Sequence, residues 1–309
     1  MRVVALAGGV GGAKLAHGLQ AVVPPGDLSV VVNTGDDLEL FGLLVSPDVD
    51  TVLYTLAGLA NPDTGWGIAG DTWTALDMLG RYGEPTWFRI GDADLATHVR
   101  RTGLLRAGAT LTQATADMAA ALGVRAALLP MSDDRVRTRL ETDAGSLDFQ
   151  TYFVARGQRD EVRGVVLDGI DTARPSRAVL EALAAADLIV VAPSNPIVSV
   201  GPILALPGIR EAISAASVPR IAVTPIVAGR ALRGPADRML SSLGHEPTAL
   251  GVARLYAGLI DVFVLDEVDR DLVPAVQALG MRAIAGPTVM TTDASRAEFA
   301  AWLLANVGR

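Results

Sequence analysis

VVALAGGVGGAK, residues 3–14, is an apolar β-branched run followed by a glycine-rich turn and the start of a helical stretch. Val3–Ala7 predicts a buried strand, and the residues from about Ala13 to Val22 predict a helix. Glycines at such a junction let the backbone approach an anion at the helix N-terminus. The spacing is neither that of a Walker A loop nor that of the usual dinucleotide fingerprint, and a purely structural tight turn is the alternative. The candidate phosphate contacts are Gly9, Val10, Gly11, Gly12 and Lys14.

Short apolar runs alternate with helical stretches along most of the remaining chain. Runs that are apolar throughout are typical of strands covered by helices on both faces. The alternation therefore predicts an α/β fold with a Rossmann-like, doubly wound, mostly parallel sheet. The predicted strands are Leu28–Asn33, Ala126–Pro130, Gly164–Leu167, Leu188–Ala192, Arg220–Thr224, Val262–Leu265 and Arg282–Ala285, and clear helices are predicted at Pro175–Ala186 and Ser295–Ala305.

The middle of the chain has a different pattern. From about Asp50 to Gly123 it is mostly helical, with a loop at Asn61–Gly67, and Thr138–Phe153 has the pattern of a small hairpin. No internal repeat or long linker separates this part from the rest. We therefore predict a single α/β domain over residues 1–309, with an inserted, mainly helical capping subdomain at approximately residues 51–160.

The composition excludes several classes of protein. The 309 residues include 34 acidic and 26 basic side chains and 5% aromatic residues, which disfavours binding to nucleic acid or to a membrane surface. There is no cysteine, so a metal would need carboxylate, imidazole or backbone oxygen ligands. The apolar run at the N-terminus is too short for a signal peptide, and four prolines interrupt the uncharged segment Leu188–Ile209. We expect a cytoplasmic protein.

Acidic residues cluster after the second predicted strand. Asp36 and Asp37 follow it directly, and Asp48 and Asp50 come shortly afterwards. Ligands of open α/β sheets bind beyond the carboxyl ends of the strands, and Mg²⁺ combines few carboxylates with substrate phosphates. Asp36, Asp37 and Asp48 are therefore candidate metal ligands, and Asp36, Asp37 and Asp50 are candidate catalytic residues. The alternative for Asp48 and Asp50 is that they cap the next helix.

Two further segments carry polar groups at element ends. Ser194, Asn195 and Ser199 follow a strongly apolar strand, which suits hydrogen bonding to a nucleotide, although a proline-rich structural turn is the alternative. Asp92 and Asp94 precede a helix and would cap it, with His98 one turn later as a ligand, a base or a packing residue. A glycine loop with clustered acids indicates phosphoryl-group chemistry or nucleotide binding with Mg²⁺, catalysed by positioning and charge stabilisation.

Six segments together resemble the 2-phospho-L-lactate transferase family, and they occur in order over nearly the whole chain. They are GGVGGAK, VVNTGDDLELFGLLVSPDVDTVLYTLAG, FRIGDADLATHVRRT, LLPMSDD, VAPSNPIVSVGPILALPGIR and VFVLDEVDRD. The resemblance implies an enzyme of coenzyme F420 biosynthesis, in which lactyl- or enolpyruvyl-diphosphoguanosine donates its phosphorylated three-carbon acid to a ribityl hydroxyl of the deazaflavin Fo. GMP leaves, F420-0 or dehydro-F420-0 forms, and Mg²⁺ is required.

The resemblance also assigns parts of the site. The glycine loop would face the diphosphate, the acids would hold Mg²⁺, and the Ser194–Pro196 loop would lie near the nucleotide. Asp50 and Arg89 correspond to the residues that contact Fo in the family. Family precedent further implies a homodimer. The choice between phospholactate and phosphoenolpyruvate as the transferred unit stays open.

Two alternatives come from other classes. A related family of nucleotide-sugar-binding regulators, linked to gluconeogenic growth and cell shape, shares the glycine-rich start and an Asn-Thr-x-Asp-Asp stretch. Its members continue with a Gly/Ser-rich segment, whereas Leu38–Gly42 reads LELFG here, which favours the transferase. A dinucleotide-dependent oxidoreductase is disfavoured, because the ribose-binding acid expected about 20 residues after a Gly-x-Gly-x-x-Gly turn is missing.

Overall fold

The computed structural model describes residues 1–307 of the chain. Its strands are β1 (Val3–Ala7), β2 (Leu28–Val32), β3 (Leu38–Leu40), β4 (Leu43–Val45), β5 (Ala127–Pro130), β6 (Arg137–Thr142), β7 (Gly145–Asp148), β8 (Val162–Asp168), β9 (Leu188–Val191), β10 (Arg220–Val223), β11 (Ile226–Val227), β12 (Arg230–Ala231), β13 (Val262–Asp266) and β14 (Arg282–Gly286).

The α-helices of the same residues are α1 (Gly9–Val22), α2 (Pro47–Leu56), α3 (Thr74–Arg81), α4 (Asp92–Arg106), α5 (Leu111–Ala121), α6 (Arg177–Ala185), α7 (Val200–Ala205), α8 (Ile209–Ala215), α9 (Ala236–Ser242), α10 (Ala249–Tyr256), α11 (Val273–Gln277) and α12 (Asp293–Val307). A π-helical turn occupies Thr151–Ala155, and a 3₁₀ helix occupies Glu267–Leu272. None of these helices is long and apolar enough to cross a membrane.

A seven-stranded sheet with all neighbours parallel forms the centre of the protein, in the order β14-β13-β10-β9-β1-β2-β5. The chain builds outward from β1 to β2 and β5, then returns to β9 on the other side of β1 and continues to β14. The predicted doubly wound α/β fold is therefore confirmed. The direction of building reverses between β1 and β9, and such a switch point leaves a crevice at the carboxyl ends of the strands.

Successive side chains of β1 pack into cores on opposite faces of this sheet. Val4 and Leu6 belong to one core with residues of α6–α11, whereas Val3, Ala5 and Ala7 belong to the other with residues of α1, α2, α5 and α12. Side chains of a strand alternate between the two faces, so a strand covered on both must be apolar throughout. This requirement explains why the strands of the central sheet could be predicted from the sequence.

Three smaller sheets lie outside the central one: the pair β3–β4, the pair β11–β12 and a sheet of three strands. The predicted hairpin is present as β6 and β7, and β8 pairs with β6 to give an antiparallel sheet of three strands. The strand predicted at Gly164–Leu167 thus exists, but it does not join the parallel sheet. Its side chains are mostly half-exposed or exposed, including Val166 at 43%, which is compatible with a sheet that has one solvated face. The sequence also did not predict the β3–β4 hairpin.

The segment between β4 and β5 is helical, as the sequence indicated. It contains α2, α3, α4 and α5, and α2 and α5 pack on the core of the central sheet. Strand β5 falls within the bounds given above for the insertion, yet it pairs with β2 at the edge of the central sheet. The division of the chain into a domain and a capping subdomain stays a prediction.

Candidate functional site

A cavity of about 470 Å³ opens at the carboxyl ends of β1 and β9, at the switch point of the sheet. It unites most of the residues that the sequence singled out. Those lining it are Gly9, Val10, Gly11, Lys14, Asp36, Asp48, Asp50, Arg89, Ser194, Asn195 and Ser199. Gly12 and Asp37 do not line the cavity. An aromatic wall that the sequence did not predict consists of Trp66, Trp87, Phe88, Phe149 and Phe153.

The glycine segment is the first turn of α1, which begins four residues earlier than predicted. Gly9 has a φ of +58°, a conformation that favours glycine. A Cβ at Gly11 would overlap the carbonyl oxygen of Pro193, and one at Gly12 would overlap the Ser194 hydroxyl. The structural alternative therefore accounts for Gly11 and Gly12, because these glycines let α1 dock against the segment after β9. The turn still presents the first N–H groups of a helix to the cavity.

Asp48 joins the start of α1 to the start of α2. Its Oδ1 accepts the Gly9 N–H at 2.8 Å, and its Oδ2 accepts from the Asn33 side-chain amide at 3.0 Å. It makes no cap for its own helix, where Ser46 is the N-cap. Burial raises the pKa of Asp48 to about 6. A carboxylate thus occupies part of the helix N-terminus where the sequence predicted a phosphate, so a phosphate there would need other donors or a shared cation.

Asp36 and Asp37 follow β2 and are each 4% exposed. Asp37 Oδ2 accepts from the Ser46 hydroxyl at 2.9 Å, while Oδ1 of both residues has no hydrogen-bond donor within residues 1–307. Burial raises the pKa of Asp37 to about 7. Burial, and next the Asp48 carboxylate, raise the pKa of Asp36 well above its ordinary value.

The chemistry of these donors fits a hard cation, because they are carboxylate oxygens in excess of their hydrogen-bond donors. In the part of the chain that is described, no group of three or more acidic or histidine side chains is arranged to hold a metal. A cation here would therefore take one or two protein ligands and complete its shell with water and ligand phosphates, as Mg²⁺ commonly does. Dependence on Mg²⁺ stays a prediction.

Asp50 lies in the first turn of α2 and is paired with a cation from α4. Arg101 Nη2 contacts Asp50 Oδ1, and Nη1 donates to Oδ2 at 3.2 Å. Asp50 is 5% exposed and Arg101 is fully buried. The Ser46 side chain does not cap α2, but Asp50 Oδ2 accepts the N–H of Ser46, the N-cap residue, at 3.3 Å, so Asp50 also stabilises the start of its own helix.

The Asp50–Arg101 pair continues into a buried polar cluster on α4. Arg101 Nη1 lies 3.3 Å from His98 Nδ1, and His98 Nε2 lies 3.3 Å from Asp94 Oδ1. The Tyr54 hydroxyl donates to the same Asp94 oxygen at 2.6 Å, and burial raises the pKa of Tyr54. Sequence reasoning missed Arg101. Its spacing from Asp94 and His98 (i, i+4, i+7) places all three on one helix face and was the available signal.

Arg89 lies in the loop between α3 and α4 and lines the cavity. Its side chain is exposed, and its guanidinium stacks on the Trp73 ring at 4.2 Å from the ring centroid. Asp50 and Arg89 are far apart in the sequence, yet both line the same cavity, as the resemblance implied. Their contact with Fo stays a prediction.

The contacts made by the three polar residues after β9 differ from one another; these residues are Ser194, Asn195 and Ser199. The Ser194 hydroxyl accepts the Gly8 N–H at 3.0 Å and so ties the loop after β9 to the loop after β1. Asn195 Oδ1 accepts the Ile197 N–H at 2.9 Å, which is the local role of a turn residue. Ser199 packs against Gly8, and a Cβ added at Gly8 would overlap the Cβ of Ser199.

Lys14 supplies a positive charge to the cavity. It is half-buried, and burial, followed by the nearby Arg296 and Arg233, lowers its pKa. Arg233, which sequence reasoning missed, also lines the cavity and donates to the carbonyl oxygens of Asp63 and Thr64 at 3.2 and 3.3 Å. Cations from two separate elements therefore face the cavity close to α1.

Asp71 and Asp92 anchor helix α3 and helix α4, which flank the loop that contains Arg89. Asp92 was expected to cap its own helix, α4, but it accepts the Ala75 N–H at 2.8 Å and the Thr74 N–H at 3.1 Å at the start of α3. Asp71, before α3, in turn accepts the Ala93 and Asp94 N–H groups of α4. The exchange of caps fixes α3 against α4, and a sequence does not reveal which helix a flanking carboxylate will cap.

The fold and the cavity define a Rossmann-like α/β protein with an acidic, small-molecule-sized site at the switch point of a parallel sheet. Comparison with known proteins then gives the family. The family model described as 2-phospho-L-lactate transferase CofD matches residues 3–297, and the chain belongs to this family of transferases. The family resemblance read from the sequence is therefore confirmed.

Relatives match along their whole length. The chain is 47% identical over 304 residues to a phosphoenolpyruvate transferase of Streptomyces griseus subsp. griseus, with 96% of each chain covered. It is 41% identical over 301 residues to a 2-phospho-L-lactate transferase of Methanosarcina acetivorans, with 97% of each covered. A solved structure of a UPF0052 family member from Bacillus halodurans superposes with a TM-score of 0.62 at 18% identity, covering 98% of both chains, and supports the fold.

Proposed function

We propose that this protein transfers a 2-phospholactyl or enolpyruvyl-phosphate unit from a guanosine-diphosphate-activated donor to the deazaflavin Fo, in the biosynthesis of coenzyme F420. The observation that carries the proposal is that two unlike sets of groups line one cavity. The first set, called the first half below, consists of helix N–H groups and cations, and the second half consists of a carboxylate, a guanidinium and the aromatic residues. Relatives with this family's transferase names match over their full length.

The first half suits the nucleotide donor. The first turn of α1 offers backbone N–H groups, and Lys14 and Arg233 offer positive charge to a diphosphate. The Ser194 hydroxyl holds this turn in place through the Gly8 N–H. Charge stabilisation and positioning dominate phosphoryl transfer, and these are the groups that such catalysis needs.

A divalent cation would be held by Asp36 and Asp48, which line the cavity, with Asp37 and Ser46 behind them. When bound, Mg²⁺ neutralises the charge of the diphosphate and of the leaving phosphate. The carboxylates of Asp36 and Asp48 are otherwise unfavourable next to a diphosphate, because like charges repel in a buried site. Burial raises the pKa of both carboxyls, and the Asp48 charge raises that of Asp36 further.

The second half suits the deazaflavin acceptor. The aromatic wall offers flat apolar surface to a ring system, and Arg89, fixed on Trp73, suits an ionised ring oxygen. Asp50 would accept a hydrogen bond from the attacking ribityl hydroxyl and orient it.

In the reaction, the oxygen of the ribityl hydroxyl forms a bond to the phosphorus that carries the three-carbon acid. The bond from this phosphorus to the oxygen bridging to GMP breaks, GMP leaves with the electron pair, and the hydroxyl proton is lost. Residence in the cytoplasm and a homodimer remain predictions. The regulator alternative is not favoured, because the full-length relatives above 40% identity carry transferase names.

The test is direct assay of the purified protein. Incubation with Fo, Mg²⁺ and either lactyl- or enolpyruvyl-diphosphoguanosine is expected to yield F420-0 or dehydro-F420-0 with one equivalent of GMP, followed by mass spectrometry. Comparing the two donors identifies the transferred unit. Asp50→Asn is expected to lower kcat by about 10²-fold, the scale for a lost positioning contact. Absence of product with both donors, from folded protein that also fails to bind Fo, would refute the proposal.

A further inference from the structure

Arg101 lies directly behind Asp50 as seen from the cavity. Asp50 lines the cavity, whereas Arg101 does not and is fully buried. The two guanidinium nitrogens Nη1 and Nη2 take one carboxylate oxygen each. A planar fork of this kind fixes both the position and the plane of a carboxylate, which a single-point contact cannot do.

The guanidinium is itself held in place by its neighbours on α4 and before α2. Nη1 contacts His98 Nδ1 at 3.3 Å and the Leu44 carbonyl oxygen at 3.4 Å. A guanidinium only donates, so Nδ1 acts as the acceptor and the proton of neutral His98 resides on Nε2. Nε2 lies 3.3 Å from Asp94 Oδ1, in a geometry too bent for a full hydrogen bond.

The cluster closes back onto α2. Tyr54, one turn after Asp50, donates its hydroxyl to Asp94 at 2.6 Å. Helices α2 and α4 are thus joined by two contacts, Asp50–Arg101 and Tyr54–Asp94. Asp50, Tyr54, Asp94 and His98 all line the cavity, whereas Arg101 does not. Burial alone would lower the pKa of Arg101, but the Asp50 carboxylate outweighs it and keeps the guanidinium charged.

We infer that Arg101 is a positioning residue that orients the Asp50 carboxylate toward the acceptor hydroxyl, and that His98 holds Arg101 in the required orientation. The inference rests on the proposed function, since it deepens the role given there to Asp50. Asp50 Oδ2 accepts from both Arg101 Nη1 and the Ser46 N–H, whereas Oδ1 accepts only from Arg101 Nη2 within the described residues. The second lone pair of Oδ1 can therefore accept from a substrate hydroxyl. Arg101 does not line the cavity, so it acts on the acceptor through Asp50.

A positioning role predicts a separation of kcat from KM. Loss of the fork lets the carboxylate turn within a cavity whose walls are unchanged, so the acceptor still binds but its hydroxyl is misplaced. A misplacement of about 1 Å costs about 10²-fold in rate. Lysine keeps the charge and loses the fork, so Arg101→Lys should retain more activity than Arg101→Met.

The experiment compares Arg101→Lys and Arg101→Met with Arg100→Met, which removes an exposed arginine from the same helix and breaks only its pair with Asp117. Arg101→Met is expected to lower kcat about 10²-fold and Arg101→Lys about tenfold, with the acceptor KM changed by less than about threefold. Arg100→Met is expected to keep both constants. Melting curves confirm that each variant is folded at the assay temperature.

Two variants at His98 keep the test valid if Arg101→Met does not fold. His98→Asn retains an acceptor near the position of Nδ1 and should keep most of the activity, whereas His98→Leu removes it and should lower kcat. Folded Arg101→Lys and His98→Leu enzymes with wild-type kcat would overturn the inference. If those two variants have wild-type kcat but Asp50→Asn loses activity, the inference about Arg101 is wrong and the proposed function is retained. If Asp50→Asn also has wild-type kcat, the role proposed for Asp50 is wrong as well.

Discussion

The substitution Asp37→Asn should stabilise the metal-free protein at alkaline pH. Burial raises the pKa of Asp37 from an ordinary value of 3.8 to about 7, although Arg137 and Arg101 act in the opposite direction. Because the folded state holds the proton more tightly than the unfolded state, the favourable contribution is complete below about pH 4. It is lost as the pH rises through about 7.

The size of the effect follows from the same shift. Between pH 5 and pH 7, two pKa units at about 1.4 kcal/mol each remove about 3 kcal/mol from the free energy of unfolding, and little changes above pH 7. Asparagine has nearly the same shape, retains an acceptor for the Ser46 hydroxyl and carries no charge at any of these pH values. The stability of the variant relative to the wild type should therefore rise by about 3 kcal/mol from pH 5 to pH 8.

Thermal unfolding of EDTA-treated protein measures this difference. For a chain of this size the relative melting temperature should shift by about 6 °C between the two pH values, at about 2 °C per kcal/mol. Asp271→Asn, which changes an exposed carboxylate in the 3₁₀ helix, serves as the control and should show no such trend. A relative melting temperature for Asp37→Asn that is the same at pH 5 and pH 8 would show that Asp37 does not titrate in this range, and the reasoning would be wrong.

The remaining predictions concern the cation, a helix cap and the acceptor. Removal of divalent cations with EDTA should abolish turnover and Mg²⁺ should restore it, and Asp36→Asn should lower turnover more than it weakens Fo binding; full turnover in metal-free enzyme would exclude the cation. Hydrogen bonds from Thr72 and Ala75 lower the pKa of Asp92 to about 2, so its contribution is present above about pH 4 and is lost as the pH falls toward 2. Asp92→Asn should accordingly speed hydrogen exchange of the Ala75 amide at neutral pH, and unchanged exchange would contradict the capping role. Arg89→Ala should raise the KM for Fo about tenfold with little change in kcat, and Trp73→Leu should act in the same direction but by about threefold, because it removes only the stacking that holds the guanidinium.

The central sheet could be predicted because burial on both faces restricts most residues of its strands to apolar types. Val3–Ala7, Leu188–Val191 and the first four residues of β13, residues 262–265, are each buried along their whole length, and all of them are apolar. Strand β8 has no such constraint, since it lies in a sheet with a solvated face, and its apolar residues alone did not reveal which sheet it joins.

The meeting of the acids with the glycine turn was predictable for a related reason. Parallel strands end at the same edge of a sheet, so residues that follow β1, β2 and β9 converge whatever the loops between them do. What each carboxylate contacts there was not predictable. Asp48 accepts from Gly9 on another helix, and Asp92 caps α3 rather than α4. The partner of a short acidic side chain depends on how two elements dock, and a local pattern carries no information about docking.

The placement of Asp48 also restricts how a phosphate can occupy this site. Its carboxylate already accepts one of the helix N–H groups that an anion would use, and the Asn33 amide takes its second oxygen. A phosphate bound to the same turn would face this carboxylate and that of Asp36 in a buried space, where repulsion is large. A cation between the acids and the phosphate makes this interaction attractive, and Lys14 and Arg233, which also line the cavity, add positive charge. The predicted need for a divalent cation thus rests on the contacts of Asp48 and not on the number of acidic residues alone.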